Sequence, residues 1–267
     1  MQFTYKSILL FGATSGIGYA LSEKFLSEGR KVVLVGRRKD LLEGFIRRYE
    51  RRYGKEMMGY YVYDVTRSEE IGSWVEKVTK EHPDLDCVFL NSGVQRWFNF
   101  AKPSTVSMSL LQSEIATNYS SHIYLTHAFL PFLLGKESAS LMYTTSGLAL
   151  VPLARYPNYC ATKAALHQFI ISLRLHLKDT GVRVLEIMPP SVQTGLHDEE
   201  VQHDFKAGGQ LGMPINDFIE ETWAMLMEGN AYDEFPVGPA KEWYAAVEPG
   251  RKYILSKMPR APAGYLF

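Results

Sequence analysis

Residues 6–18 read KSILLFGATSGIG. An unbroken apolar run ended by glycine is what a strand buried on both faces of a parallel sheet requires, because its alternating sides both meet packed helices. Gly12, Gly16 and Gly18 then punctuate the turn into a helix, with Thr14, Ser15 and Ile17 between them. Glycine serves where a turn is tight, where backbone must approach a diphosphate, and where a helix packs closely on a strand; the helix N-terminus adds free N–H groups and partial positive charge. The stretch therefore predicts a dinucleotide site after the first strand. Its spacing is not GxGxxG, and an ordinary glycine-rich turn uses the same letters.

Outward from this turn the pattern repeats. Ile17, Ala20, Leu21 and Phe25 have helical spacing over residues 16–28, and Gly29 stops them. KVVLVG, residues 31–36, is a second buried strand, and 40–53 a second amphipathic helix. Strands follow at 57–63, 86–90, 140–145 and 182–188, and helices at 68–81, 105–119, 121–134, after Tyr156, and at 215–229. The proline- and aromatic-rich tail suggests one edge strand and a packing helix. Such alternation predicts an α/β fold, a Rossmann-type doubly wound parallel sheet with helices on both faces and ligands at the carboxyl ends of the strands. A single domain spanning 1–267 is expected, with the cofactor-binding and catalytic core at 5–194, a substrate loop and helix at 195–230, and a C-terminal tail at 231–267. Residues 195–214 turn polar and glycine-rich, which suits a substrate lid or an ordinary surface loop.

Charge excludes some partners. The 267 residues carry 29 Lys plus Arg against 29 Asp plus Glu, so no net field draws nucleic acid or an anionic membrane. No run approaches the ~18 apolar residues of a membrane span, and no small-residue cleavage site follows the start, which points to a cytoplasmic protein. Cys87 and Cys160 lack CxxC or His/Cys company, so a metal site or disulfide is not expected and buried reduced thiols are.

Tyr159 and Lys163 stand one helical turn apart, on one helix face. An ammonium beside a phenol favours the phenolate, which makes the pair an acid/base device. Spacing alone is weak, because Tyr253 and Lys257 repeat it. Context separates them: Ser146 lies 13 residues before Tyr159 at the end of a strand, whereas Ala240 holds that offset from Tyr253. At the end of the second strand, Arg37 and Arg38 stand where an acidic residue would bond a ribose 2′-OH; arginine there suits a 2′-phosphate and hence NADPH, though two solvated arginines look the same. Asp64 could bond an adenine amino group or close a turn, and Asn91, Ser92 and Gly93 could line a cofactor or form a turn.

Gly12-x3-Gly16-x-Gly18, Asp64, Asn91-Ser92-Gly93, Asn118, Ser146, Tyr159-x3-Lys163 and the segment from Pro189 through Val192 to Thr194 resemble, in order and spacing, the classical short-chain dehydrogenases/reductases. TSGLALVPLARYPNYCATKAALHQFI and MPPSVQTGL look like the DltE-type oxidoreductases within that family. The resemblance implies a tetrad of Asn118, Ser146, Tyr159 and Lys163. Tyr159 would donate the proton to a carbonyl oxygen that Ser146 hydrogen-bonds. Lys163 would lower the phenol pKa and bond the nicotinamide ribose, Asn118 would hold a water leading to solvent, and Thr194 would contact the carboxamide. Phe11, Leu90 and Pro190 depart from the family pattern, Phe11 and Leu90 removing polar braces of the glycine turn and fourth strand.

The expectation is an NADP(H)-dependent oxidoreductase acting on a small carbonyl compound or alcohol; the resemblance implies assembly as a homodimer or homotetramer through the helices at 121–134 and 159–177. Two rivals use the same fold: a non-catalytic NADP(H)-binding regulator, which would tolerate Tyr159→Phe, and a redox-neutral isomerase or cyclase, which would consume no NADPH. Trp97, Phe98 and Phe100 suit either a substrate wall or loop packing. His122, His127, His167 and His176 are expected at the surface or at a subunit contact.

Overall fold

The structure is a computed structural model and describes residues 2–197 and 210–258. β1 (Ser7–Phe11) is buried at every position. Its alternation divides two cores, Ile8 and Leu10 facing one and Leu9 and Phe11 the other. β2 (Lys31–Gly36) and β4 (Cys87–Leu90) flank it in parallel, Leu9 pairing with both Val33 and Val88. β3 (Met58–Val62) closes one edge, and β5 (Ala139–Thr144), β6 (Val182–Met188) and β7 (Glu234–Pro236) extend the other. The seven strands run parallel in the order 3-2-1-4-5-6-7.

Helices cover both faces. α1 (Gly16–Ser27), α2 (Lys39–Tyr53) and α7 (Ile215–Glu228) bury Phe25, Phe45 and Phe218 on one side. On the other, α3 (Ile71–Glu81), α5 (Ser121–Leu134) and α6 (Pro157–Leu177) bury Val75, Phe129 and Ile170. Each such fully buried side chain contributes about 1.5–3 kcal/mol. Strand order reverses between β1 and β4, so the helices leaving them depart to opposite faces and open a crevice at the strands' carboxyl ends.

Several elements differ in detail from the pattern in the sequence. The helix expected over 68–81 begins as a 3₁₀ turn, Ser68–Glu70. That expected over 105–119 is α4 (Met108–Ile115), followed by a π turn, Ala116–Ser120, which runs directly into α5. The tail supplies the edge strand β7 and the helix α8 (Ala240–Lys257). Cys87 and Cys160 are free and buried. His127 and His176 are exposed, but His122 and His167 are not at the surface: each is 1% exposed. α6 buries a wide arc that includes Lys163, Leu166, His167 and Ile170, so polar letters in it are no sign of solvent. Among the described residues no helix is long and apolar enough to cross a membrane.

Candidate active site

Gly12 and Gly16 have φ of +75° and +54°, the left-handed region that favours glycine. At Gly18 a Cβ would overlap the Gly12 carbonyl oxygen and stand 2.9 Å from its carbon, so α1 starts closer to β1 than any other residue allows. The brace expected to be lost at Phe11 and Leu90 comes from elsewhere. Phe11 packs its ring against Trp74 and Phe129, at 5.6 and 6.3 Å between centroids. The polar work falls to Asn91, whose Nδ2 donates to the Gly12 carbonyl at 3.5 Å and whose Oδ1 accepts from Thr144 Oγ1 at 2.8 Å.

No acidic residue occupies the first turn of α1, and Ser15, its N-cap, makes no capping bond. The positive end of that helix is therefore uncompensated, which suits an anion. Arg38 folds back over the turn, Nη2 donating to Thr14 Oγ1 and Ser15 Oγ, both at 2.7 Å. Asp64 accepts at Oδ1 from the Thr66 N–H and hydroxyl at 3.0 and 2.8 Å, a turn closure. Burial works to raise its carboxyl, but those hydrogen bonds with Arg37 and Arg67 overcome it and hold the pKa below the ordinary value. Thr194 lies across the turn, 3.3 Å from where a Cβ on Gly16 would be, and its Oγ1 accepts from the Leu196 N–H at 3.4 Å.

Pro157 at the first position of α6 pre-sets its φ and starts the helix. That places Tyr159 and Lys163 on its buried face, 7% and 2% exposed, with the ammonium 5.8 Å from the ring centroid. Ser146, just beyond β5, accepts from the Leu148 N–H at 3.1 Å, and its hydroxyl is near enough to the Tyr159 phenol to favour the phenolate. It is both a strand-end cap and a partner of the tyrosine. Burial raises the Tyr159 pKa above its ordinary value, Ser146 lowers it, and Cys160 and Glu114 raise it further. Lys163 Nζ donates to the Thr144 carbonyl at 2.8 Å. Burial lowers its pKa to about 8, against the opposing pull of Glu114 and Glu186. Asn118, in the π turn, exchanges two 2.8 Å hydrogen bonds with the Val94 backbone and donates to Thr162 Oγ1 at 3.2 Å. Tyr253, by contrast, is 62% exposed.

One cavity of about 530 Å³ gathers these groups. Gly12, Thr14, Ser15, Gly16, Ile17, Arg37, Arg38, Asp64, Asn91, Ser92, Gly93, Ser146, Tyr159, Lys163, Pro189, Val192 and Thr194 all line it. Gly18 lies behind the turn, and Asn118 is fully buried behind Gly93. Leu148, Tyr156 and Trp243 also line it, although the sequence reading named none of them as a site residue. Trp97 and Phe100 are exposed and Phe98 buried, none of them on the cavity wall. The segment 195–214, read as a lid or a surface loop, falls mostly outside the described residues; Met213 near its end forms a parallel bridge with Val192, which precedes it.

Beneath Ser146 runs a buried charge network. Thr145 Oγ1 donates to Glu186 Oε1 at 2.7 Å, and the same oxygen meets His167 Nδ1 at 2.8 Å. His167 Nε2 lies 3.2 Å from Glu248 Oε1 on α8. Burial opposes the imidazolium, but the two carboxylates overcome it and push the His167 pKa up to about 9.

A sequence profile of the family described as short chain dehydrogenase matches residues 6–204. The chain is 36% identical over 229 residues to the uncharacterized oxidoreductase DltE of Bacillus subtilis, covering 86% of this chain and 87% of that protein. It is 31% identical over 188 residues to the serine 3-dehydrogenase of Agrobacterium fabrum, covering 70% of this chain and 72% of the other. Among solved structures, a short-chain dehydrogenase from Sphingobium yanoikuyae in complex with NADPH superposes with a TM-score of 0.78 at 21% identity, over 98% of this chain and 100% of that one.

Proposed function

The chain belongs to the short-chain dehydrogenase family, and on that premise we propose that it is an NADP(H)-dependent oxidoreductase reducing a small carbonyl compound, or oxidising the matching alcohol. The observation that carries this reading is the convergence of Tyr159, Ser146 and Lys163 on the cavity that the glycine turn opens. The residues fit a nicotinamide dinucleotide. Glycine leaves the turn backbone bare at Gly12 and Gly16, the α1 N-terminus suits a diphosphate, and Arg37 and Arg38 suit a 2′-phosphate at a place where no carboxylate would bond a 2′-OH. When bound, the reduced nicotinamide supplies a hydride.

The protein's own groups handle the proton. Burial keeps the Tyr159 phenol protonated at neutral pH, which is the form that donates to a carbonyl oxygen as carbon is reduced. Ser146 donates a second hydrogen bond to that oxygen and stabilises its developing charge. Oxidation needs the phenolate instead, and the Lys163 ammonium is the cation near enough to favour it. Asn118 locks the loop at Val94 against α6; a water held there would link Lys163 to solvent. Pairing of α5 and α6 across a two-fold, giving a homodimer or homotetramer, belongs to the same proposal.

The test is binding of NADPH and NADH, followed by consumption assays over ketones, aldehydes and imines. Tighter NADPH binding and NADPH oxidation matched to product are expected. Turnover without NADPH consumption would favour an isomerase or cyclase; biological activity surviving Tyr159→Phe would favour a regulator.

A further inference from the structure

The cavity runs from Arg37 and Arg38, beyond β2, to Trp243 on α8. Ser146 follows β5, three strands along the sheet from β2, so the two regions stand roughly 14 Å apart at ~4.8 Å per strand. Besides Tyr159 and Ser146 the lining holds the apolar or aromatic Leu148, Leu153, Tyr156, Leu211 and Trp243, with Gln95 and Ser191 as uncharged polar members. Trp243 is firmly seated: a Cβ on Gly147 would stand 2.7 Å from its ring, so the indole lies on backbone next to Ser146. Leu153 and Leu211 remain 48% and 49% exposed, leaving apolar surface in the cavity.

Charge is distributed unevenly. Among the described lining residues the charged ones are Arg37, Arg38, Asp64 and Lys163. The first three follow β2 and β3, at the cofactor end, and the Lys163 ammonium is bound to the Thr144 carbonyl. Arg155 lies behind that wall, its Nε donating to the Tyr156 hydroxyl at 3.2 Å, and does not itself line the cavity. Among the described lining residues a carboxylate placed against Trp243 would therefore lose its hydration with no cation facing it, whereas an alkyl or aryl group would shed water favourably. Building on the oxidoreductase reading, we propose that the substrate is an uncharged carbonyl compound whose larger substituent is apolar and rests against Trp243, and that carbonyl compounds of the same length ending in a carboxylate are excluded.

Calorimetry on the full chain with saturating NADP⁺ tests this with 2-octanol and 7-hydroxyoctanoate, the same carbon chain with and without a terminal carboxylate. 2-Octanol is expected to bind about 10-fold or more tightly. Trp243→Ala should erase most of that preference and Trp243→Phe should keep it. Equal or tighter binding of 7-hydroxyoctanoate, or binding of neither, overturns the proposal. Oxidation of bound 2-octanol is read separately from NADPH absorbance: selective binding without NADPH formation supports the apolar site and removes the oxidoreductase reading instead.

Discussion

His167 should act as a charged rivet between α6, β6 and α8, and its contribution should fade with rising pH. Its ring sits between the Glu186 and Glu248 carboxylates, at 2.8 and 3.2 Å, and all three side chains are at most 1% exposed. An unfolded histidine titrates near 6.5, whereas this one is raised to about 9. A folded pKa above the unfolded one gives stability that is complete below about pH 6.5 and is lost as pH rises through about 9. At 1.36 kcal/mol per unit the difference is about 3 kcal/mol. Glutamine at this position cannot carry the charge and would leave Arg174 and Arg251 as the cations beside the two buried carboxylates. Urea unfolding of the parent and of His167→Gln, from pH 6 to pH 10, isolates the effect because other titrations cancel between them. The parent should be more stable by about 3 kcal/mol or more at pH 6, and the gap should narrow by about 3 kcal/mol by pH 10. Parallel curves across that range would refute the assignment of charge to this imidazole.

Gly18→Ala sets two effects against each other, since alanine favours a helix by about 1 kcal/mol but its Cβ would collide with the Gly12 carbonyl. The collision should dominate, weakening NADPH binding at least about 10-fold and lowering the unfolding temperature; an unchanged dissociation constant in a fluorescence titration would contradict the close approach of α1. Arg38→Ala should weaken NADPH about 10-fold while leaving NADH within about twofold, because the lost contact is to a 2′-phosphate only. Equal losses for the two would mean that Arg38 merely braces Thr14 and Ser15, its partners at 2.7 Å.

Much of this was legible in the letters where local pattern and global fold agree. β1, β2 and β4 are buried on both faces and read as near-continuous apolar runs, and the glycine turn and the Tyr159–Lys163 pair carry their chemistry in short, fixed spacings. The π turn at Ala116–Ser120 was not legible, because its five residues have ordinary helical composition and only packing against α6 and the Val94 loop decides the extra residue. Nor was the His167 network, since Glu186 and Glu248 lie 19 and 81 residues away and meet only once β6 and α8 are in place. Trp243 is hidden for the same reason: nothing near it in sequence links it to Gly147.

Hydride transfer from bound NADPH in a single turnover, measured in the parent and in Tyr159→Phe at pH 7, goes to the centre of the account. Phenylalanine keeps the ring in place and removes the proton that the carbonyl oxygen needs. The predicted result is NADPH affinity within about threefold of the parent and a rate lower by about 100-fold or more; hydride transfer at the parent's rate, with NADPH bound equally well, would contradict it.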